Sequence, residues 1–163
     1  LSDAIVITRA NLVENVSEIK EKISQINPTC KIFVSKNYFT ELIKLKDFPS
    51  QTILNPTSQI SNLKSTAFCG LGNPDNFFNQ LRDEKFNLVT TKAFTDHHIY
   101  VQNDVRITEK LAIENGAEVL LTTAKDAVKL SHLKFNLPCF VMENGLTFDG
   151  ESAFNNLILN LKF

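Results

Sequence analysis

The feature that most constrains this 163-residue chain is a repeated change of hydrophobic period. Short, continuous apolar runs alternate with segments in which apolar residues recur every three or four positions. "AIVIT", Ala4 to Thr8, is rich in β-branched residues, the pattern of a strand covered on both faces. Leu12, Val16, Ile19, Ile23 and Ile26 follow at helical spacing, with Glu14, Glu18, Lys20 and Lys22 off that stripe. Asn27 and Pro28 stop the helix, and "KIFVS", Lys31 to Ser35, makes a second strand. A strand, a helix and a strand in succession favour parallel pairing.

A second series begins at "STAFCGL", Ser65 to Leu71. The spacing predicts a helix from Pro74, with Asn73 at the N-cap position and Phe77, Phe78 and Leu81 facing inward. "NLVTTKAF" is the next strand. A helix from about Asn103 to Asn115, closed by Gly116, leads into the strand "EVLLTT", Glu118 to Thr123. "PCFVME" and "GLTF" read as two last strands or a hairpin through Asn144 and Gly145, and "SAFNNLILNL" as a terminal helix. The fold class expected is α/β, a mostly parallel sheet flanked by helices. Residues 37–64, with Pro49, Pro56 and many Ser, Thr, Asn and Gln, read as a connector holding one short helical candidate at Thr40 to Leu45. The division expected is therefore residues 1–36, 37–64 and 65–163. A chain that opens on Leu1, with a strand pattern from Ala4, also reads as a piece of a longer protein.

Composition narrows the function classes. With a formal net charge of −1 and scattered basic residues, the chain lacks the electrostatic footprint of a nucleic-acid binder. No apolar run approaches the roughly 20 residues that span a bilayer, and no secretion pattern opens the sequence. Cys30, Cys69 and Cys139 are far apart and embedded in apolar runs, which points to buried, reduced thiols in a cytoplasmic protein.

In open α/β sheets, ligands gather at the carboxyl ends of the strands, and three polar clusters fall there. "GLGNP", Gly70 to Pro74, places Gly72 and Asn73 before a helix N-terminus, a tight turn or an anion-facing loop; a third glycine for a dinucleotide fingerprint is missing. "TDHH" offers Asp96, His97 and His98, either a polar turn or a proton-transfer group, since adjacent residues on an extended segment point apart and two histidines cannot complete a metal site. "TTAKD" puts Lys125 and Asp126 at the entry to a short helix, where lysine could meet a phosphate and aspartate could cap the helix and keep the lysine in place. Thr8 and Arg9 close the first strand in the same way, a fainter nucleotide-proximal signal.

In this order and at these spacings, "AFCGLGNPDNFFNQLR", "FTDHHIYVQND" and "LLTTAKDAVKL" resemble the C-terminal half of the tetraacyldisaccharide 4'-kinases, the lipid A 4'-kinases, and "DAIVITRAN" is similar to the segment that leaves their nucleotide-binding half. The resemblance implies ATP- and Mg2+-dependent phosphorylation of the 4'-hydroxyl of a lipid A disaccharide precursor at the cytoplasmic face of the inner membrane, by a protein peripheral to it. It also implies a large P-loop lobe and a smaller α/β lobe that close on the nucleotide. No G-x-x-x-x-G-K-[ST] occurs here, so the chain reads as the smaller lobe with a remnant of the larger, inactive alone, its partner being the N-terminal P-loop lobe of the same protein. Metal ligands would lie outside it. By the same resemblance, His97 would be the partner of an aspartate base on the other lobe, with Asp96 orienting it or the neighbouring backbone and His98 secondary. Thr95 and Ala124 depart from the family pattern, which carries Pro and Glu there.

Two other classes compete. An Asp-His-His metal phosphoesterase would need further strand-end aspartates and a glycine-rich histidine motif, which the sequence lacks. A non-catalytic α/β binding module would carry the same fold without an upstream P-loop.

Overall fold

The computed structural model describes residues 2–48 and 60–159. The chain divides into two compact units, Leu1–Tyr38 with Asn144–Phe163, and Phe39–Glu143. Both are α/β.

In the first unit, β1 (Ala4–Ile7) pairs in parallel with the start of β2 (Lys31–Lys44), Ala4 opposite Lys31 and Ile7 opposite Val34. The crossover is helix α1 (Val16–Ile26), whose N-cap Asn15 accepts the Glu18 N–H at 3.2 Å. Its stripe packs as the sequence period requires: Val16, Ile19 and Ile23 lie against Ile7, Ala10 and Val34. The last helix, α5 (Glu151–Leu159), adds Phe154, which meets Phe33 edge-on with centroids 5.1 Å apart and stacks on Phe148 at 4.2 Å.

In the second unit four parallel strands lie in the order β6-β5-β3-β4. They are β3 (Ser65–Cys69), β4 (Leu88–Ala93), β5 (Val119–Thr123) and the first half of β6 (Cys139–Phe148). Every residue of β3 is buried. Alternate side chains feed opposite faces, as a pleated strand demands. Ala67, Cys69, Leu121, Phe140 and Met142 join Phe77, Phe78 and Leu81 of helix α2 (Pro74–Asp83) on one face. Phe68, Leu120 and Val141 join Ala112 of α3 (Gln102–Glu114) and Ala127 and Leu130 of α4 (Ala124–Leu130) on the other. Continuous apolar runs are thus explained by helices on both faces.

Three expectations change. Thr40–Lys44 is not helical but ends β2, a strand of 14 residues, and only Leu45 enters a short 3-10 turn, Leu45–Asp47. Adjacent Leu42 and Ile43 are both buried, which suits a strand covered on two faces and not a one-sided helix. Asn144 and Gly145 do not turn a hairpin, because β6 runs unbroken through them. A Cβ on Gly145 would stand 2.5 Å from the Tyr38 ring, so glycine here admits a neighbouring ring. Cys30 is half-buried, unlike Cys69 and Cys139. Residues 49–59 of the region read as a connector, with Pro49 and Pro56, lie outside the described residues.

Leu121 is fully buried at the centre of the second unit. Leu121→Ala is expected to lower unfolding stability by about 2–5 kcal/mol, whereas Ile26→Ala, at an exposed position, changes it by less than about 0.5 kcal/mol. Urea denaturation of the two variants checks the difference.

Candidate functional site

Because β3, β4 and β5 are parallel, their carboxyl ends open on one edge of the second unit. The segments that leave them are Gly70–Asn73, Phe94–Val101 and the start of α4.

The inner part is built on Asp126, which has no solvent exposure. Its Oδ2 accepts the Gly70 N–H at 3.0 Å and the Thr123 hydroxyl at 2.8 Å, and Thr123 Oγ1 accepts the Asp126 N–H at 3.2 Å. Thr123 is the N-cap of α4 and Asp126 sits three residues on, a local pairing that satisfies helix N–H groups. The bond to Gly70 extends it to the loop after β3. A Cβ on Gly70 would stand 3.1 Å from the Tyr100 hydroxyl, 3.2 Å from Thr95 O and 3.3 Å from Asp126 Oδ1, so any side chain here would press on all three. The Tyr100 hydroxyl and Asp126 Oδ1 lie about that point without a hydrogen bond of normal geometry. Burial, and next the Asp126 charge, push the Tyr100 phenol above its ordinary pKa.

The outer part is the turn Thr95–His98, closed by the His98 N–H on Thr95 O at 3.1 Å. His97 takes its third position with φ +58°, the left-handed conformation such a turn can demand. Asp96 Oδ1 accepts the His97 N–H at 3.0 Å and the Lys125 ammonium at 3.0 Å. Asp96 Oδ2 lies 3.7 Å from His97 Nε2, and a Cβ on Gly72 would approach it to 3.2 Å. The Lys125 hydrogen bond is the main reason the Asp96 carboxyl is held below its usual pKa, with the His97 N–H assisting.

The two histidines point to different surroundings. The His97 side chain is 79% exposed, that of His98 25%. His98 stacks on Phe94 at 4.6 Å, meets Tyr100 edge-on at 4.9 Å and places Nε2 3.0 Å from Asp104 Oδ2. Asp104 Oδ2 also accepts the Val101 N–H at 2.9 Å, tying the loop to the start of α3. That backbone bond, and then His98, hold the Asp104 carboxyl below its ordinary pKa. Lys129 Nζ caps the arrangement on His98 O at 3.1 Å.

The structure therefore brings Gly72, Asp96, His97 and Lys125 together, with Asp126 beneath them. Asn73 occupies the N-cap position of α2 without a side-chain capping bond. Thr8 and Arg9 lie in the first unit, exposed beyond β1, Arg9 with φ +55°. Sequence reasoning singled out neither Tyr100 nor Asp104; the Thr-x-x-Asp spacing before an apolar helix was a readable capping signal for Thr123. Among the described residues no three His, Cys, Asp or Glu side chains converge as a metal site. Asp96, the exposed acid of the cluster, is already paired with a cation, so this cluster does not fit Mg2+.

A family model described as Tetraacyldisaccharide-1-P 4'-kinase matches residues 2–162. Similar proteins include a tetraacyldisaccharide 4'-kinase of Halothermothrix orenii, 32% identical over 80% of this chain and 36% of its own length. One from Rickettsia rickettsii (strain Sheila Smith) is 34% identical over 82% of this chain and 37% of its own length. The chain thus spans little more than a third of these relatives. A crystal structure of LpxK from Aquifex aeolicus, described as an "apo" form in complex with ATP, shares the fold with a TM-score of 0.57. It is 19% identical, over 96% of this chain and 51% of that one.

The surroundings of the two histidines predict unequal effects on stability. His98→Ala removes a ring stacked on Phe94 and a charge-assisted hydrogen bond to Asp104, and is expected to cost about 2 kcal/mol. His97→Ala is expected to stay within about 0.5 kcal/mol. Thermal unfolding of both variants measures the contrast; equal losses would mean that His97 also has a packing role.

Proposed function

Because the chain belongs to the tetraacyldisaccharide-1-P 4'-kinase family, we propose that it is the C-terminal part of a lipid A 4'-kinase. The full-length enzyme transfers the ATP γ-phosphoryl group to the 4'-hydroxyl of a tetraacyl-disaccharide 1-phosphate. In this reading the second unit belongs to the closing lobe and residues 1–36 are a remnant of the larger, nucleotide-binding lobe. ATP and Mg2+ are held mainly by a P-loop lobe N-terminal to this chain, with Thr8 and Arg9 on the nucleotide side. The substrate is a lipid, so the enzyme works from the cytoplasmic side at the inner-membrane surface. No helix among the described residues is long and apolar enough to cross a membrane.

The observation that carries the reading is the presentation of His97. A left-handed turn holds its backbone, Asp96 braces the turn, and the imidazole remains largely exposed instead of packing inward as His98 does. An exposed imidazole on a fixed backbone suits a group completed by another lobe. In the transfer, the 4'-hydroxyl oxygen bonds to the γ-phosphorus, the bond from that phosphorus to the ADP oxygen breaks, and the hydroxyl proton passes to an aspartate on the larger lobe. His97 pairs with that aspartate and orients it as it gains the proton. Such catalysis depends on positioning and electrostatics more than on covalent help from the protein. Placing His97 and the base on separate lobes makes the site whole only after closure, which limits loss of ATP to water. Mg2+, when bound, would neutralise developing phosphate charge.

Transfer of labelled γ-phosphate from ATP to the tetraacyl-disaccharide 1-phosphate by the full-length protein tests this. The His97→Ala form is expected to lose about 10²–10⁴ in kcat with little change in ATP affinity. Unchanged turnover would remove His97 from the mechanism, and an inactive wild type would favour a non-catalytic binding module. By calorimetry the 163-residue chain alone should bind ATP negligibly; micromolar binding would contradict the assignment of the nucleotide site to the preceding lobe.

A further inference from the structure

Consecutive residues on a helix lie about 100° apart and do not share a face. At the start of α4 this sends Asp126 inward and Lys125 outward. Asp126 fixes the loop after β3 through the Gly70 N–H, while Lys125 reaches Asp96 in the loop after β4. Gly72, two residues beyond Gly70, provides the surface against which Asp96 Oδ2 lies. Three strand-end segments are thus tied together by one helical turn. Asp96 Oδ1 already holds the His97 N–H and the Lys125 ammonium, which fixes the carboxylate plane and leaves Oδ2 on the side of the His97 ring.

We propose that Lys125 is a positioning residue, the outward arm of a clamp whose inward arm is Asp126, and that it acts by holding Asp96 against the turn that presents His97. Its functional consequence rests on the 4'-kinase reading; the clamp itself does not. Both partners are more than two-fifths exposed, and ion pairs of that kind contribute little to folding. The reason to keep one between two strand-end loops is orientation. A lysine engaged at 3.0 Å by a carboxylate is also not free to bind substrate phosphate unless Asp96 releases it. This sets the proposal apart from the role of phosphate ligand that the sequence suggests for Lys125.

The test compares wild type, Lys125→Met and Lys125→Arg in the full-length protein. Two readouts are taken, steady-state kinetics with ATP and the tetraacyl-disaccharide 1-phosphate, and NMR titration of the Asp96 carboxyl with selectively labelled aspartate. Lys125→Met should lower kcat about 10–100-fold with both KM values within about twofold of wild type, the signature of lost positioning. It should also raise the Asp96 midpoint from its depressed value toward the ordinary 3.8. Lys125→Arg, which keeps a cation in reach, should recover most of both. A raised KM with unchanged kcat would overturn the proposal in favour of a substrate-binding lysine, and wild-type kinetics in Lys125→Met would overturn it outright. If wild type does not phosphorylate the disaccharide, the 4'-kinase reading fails separately, and the titration still decides the clamp: an Asp96 midpoint unmoved by Lys125→Met refutes it.

Discussion

A carboxylate with no solvent exposure organises the candidate site. Burying Asp126 would be costly without partners, and its Oδ2 has two donors, one from its own helix start and one from a different strand end. The second forces the Gly70–Asn73 loop to follow wherever α4 begins. The tight space around Gly70, between the Tyr100 hydroxyl and Thr95 O, follows from that anchor. What reaches solvent, the Asp96, His97 and Lys125 cluster, is held from below by the buried groups Gly70, Tyr100 and Asp126.

The same division of labour separates the two histidines. Adjacent in sequence, they differ because one turn residue has positive φ and its successor does not. The left-handed backbone at His97 directs its ring to solvent, while His98 returns to the aromatic layer of Phe94 and Tyr100. A structural histidine thus secures the loop to α3 through Asp104, while its neighbour's imidazole stays exposed.

Much of this was legible in the sequence, because hydrophobic period is set by burial. Strands covered on both faces are largely apolar, so β3 and β5 stood out, as did the β-branched run of β1, and Asn73-Pro74 marked the start of α2. The far end of β2 was obscured because Thr40–Leu45 mixes polar and apolar residues, and only its sheet neighbours reveal that Leu42 and Ile43 are both covered. Asn144-Gly145 looked like a turn because local chemistry favours one there, yet the strand continues and the glycine serves a tertiary contact with Tyr38. At the site, order and spacing singled out Asp96, His97 and Lys125. That Asp126 would be buried, and Tyr100 set beside it, depends on contacts between residues far apart in the chain, which no local pattern encodes.

The division of the chain also orders events during synthesis. Residues 39–143 form an uninterrupted unit, whereas the first unit is discontinuous, Leu1–Tyr38 awaiting the segment that begins at Asn144. A nascent chain can therefore close the parallel sheet of the second unit while β1, α1 and the start of β2 still lack Phe148 and Phe154, the rings that complete their aromatic contact with Phe33. The segment Leu1–Tyr38 therefore leaves the ribosome before the second unit and yet is completed after it.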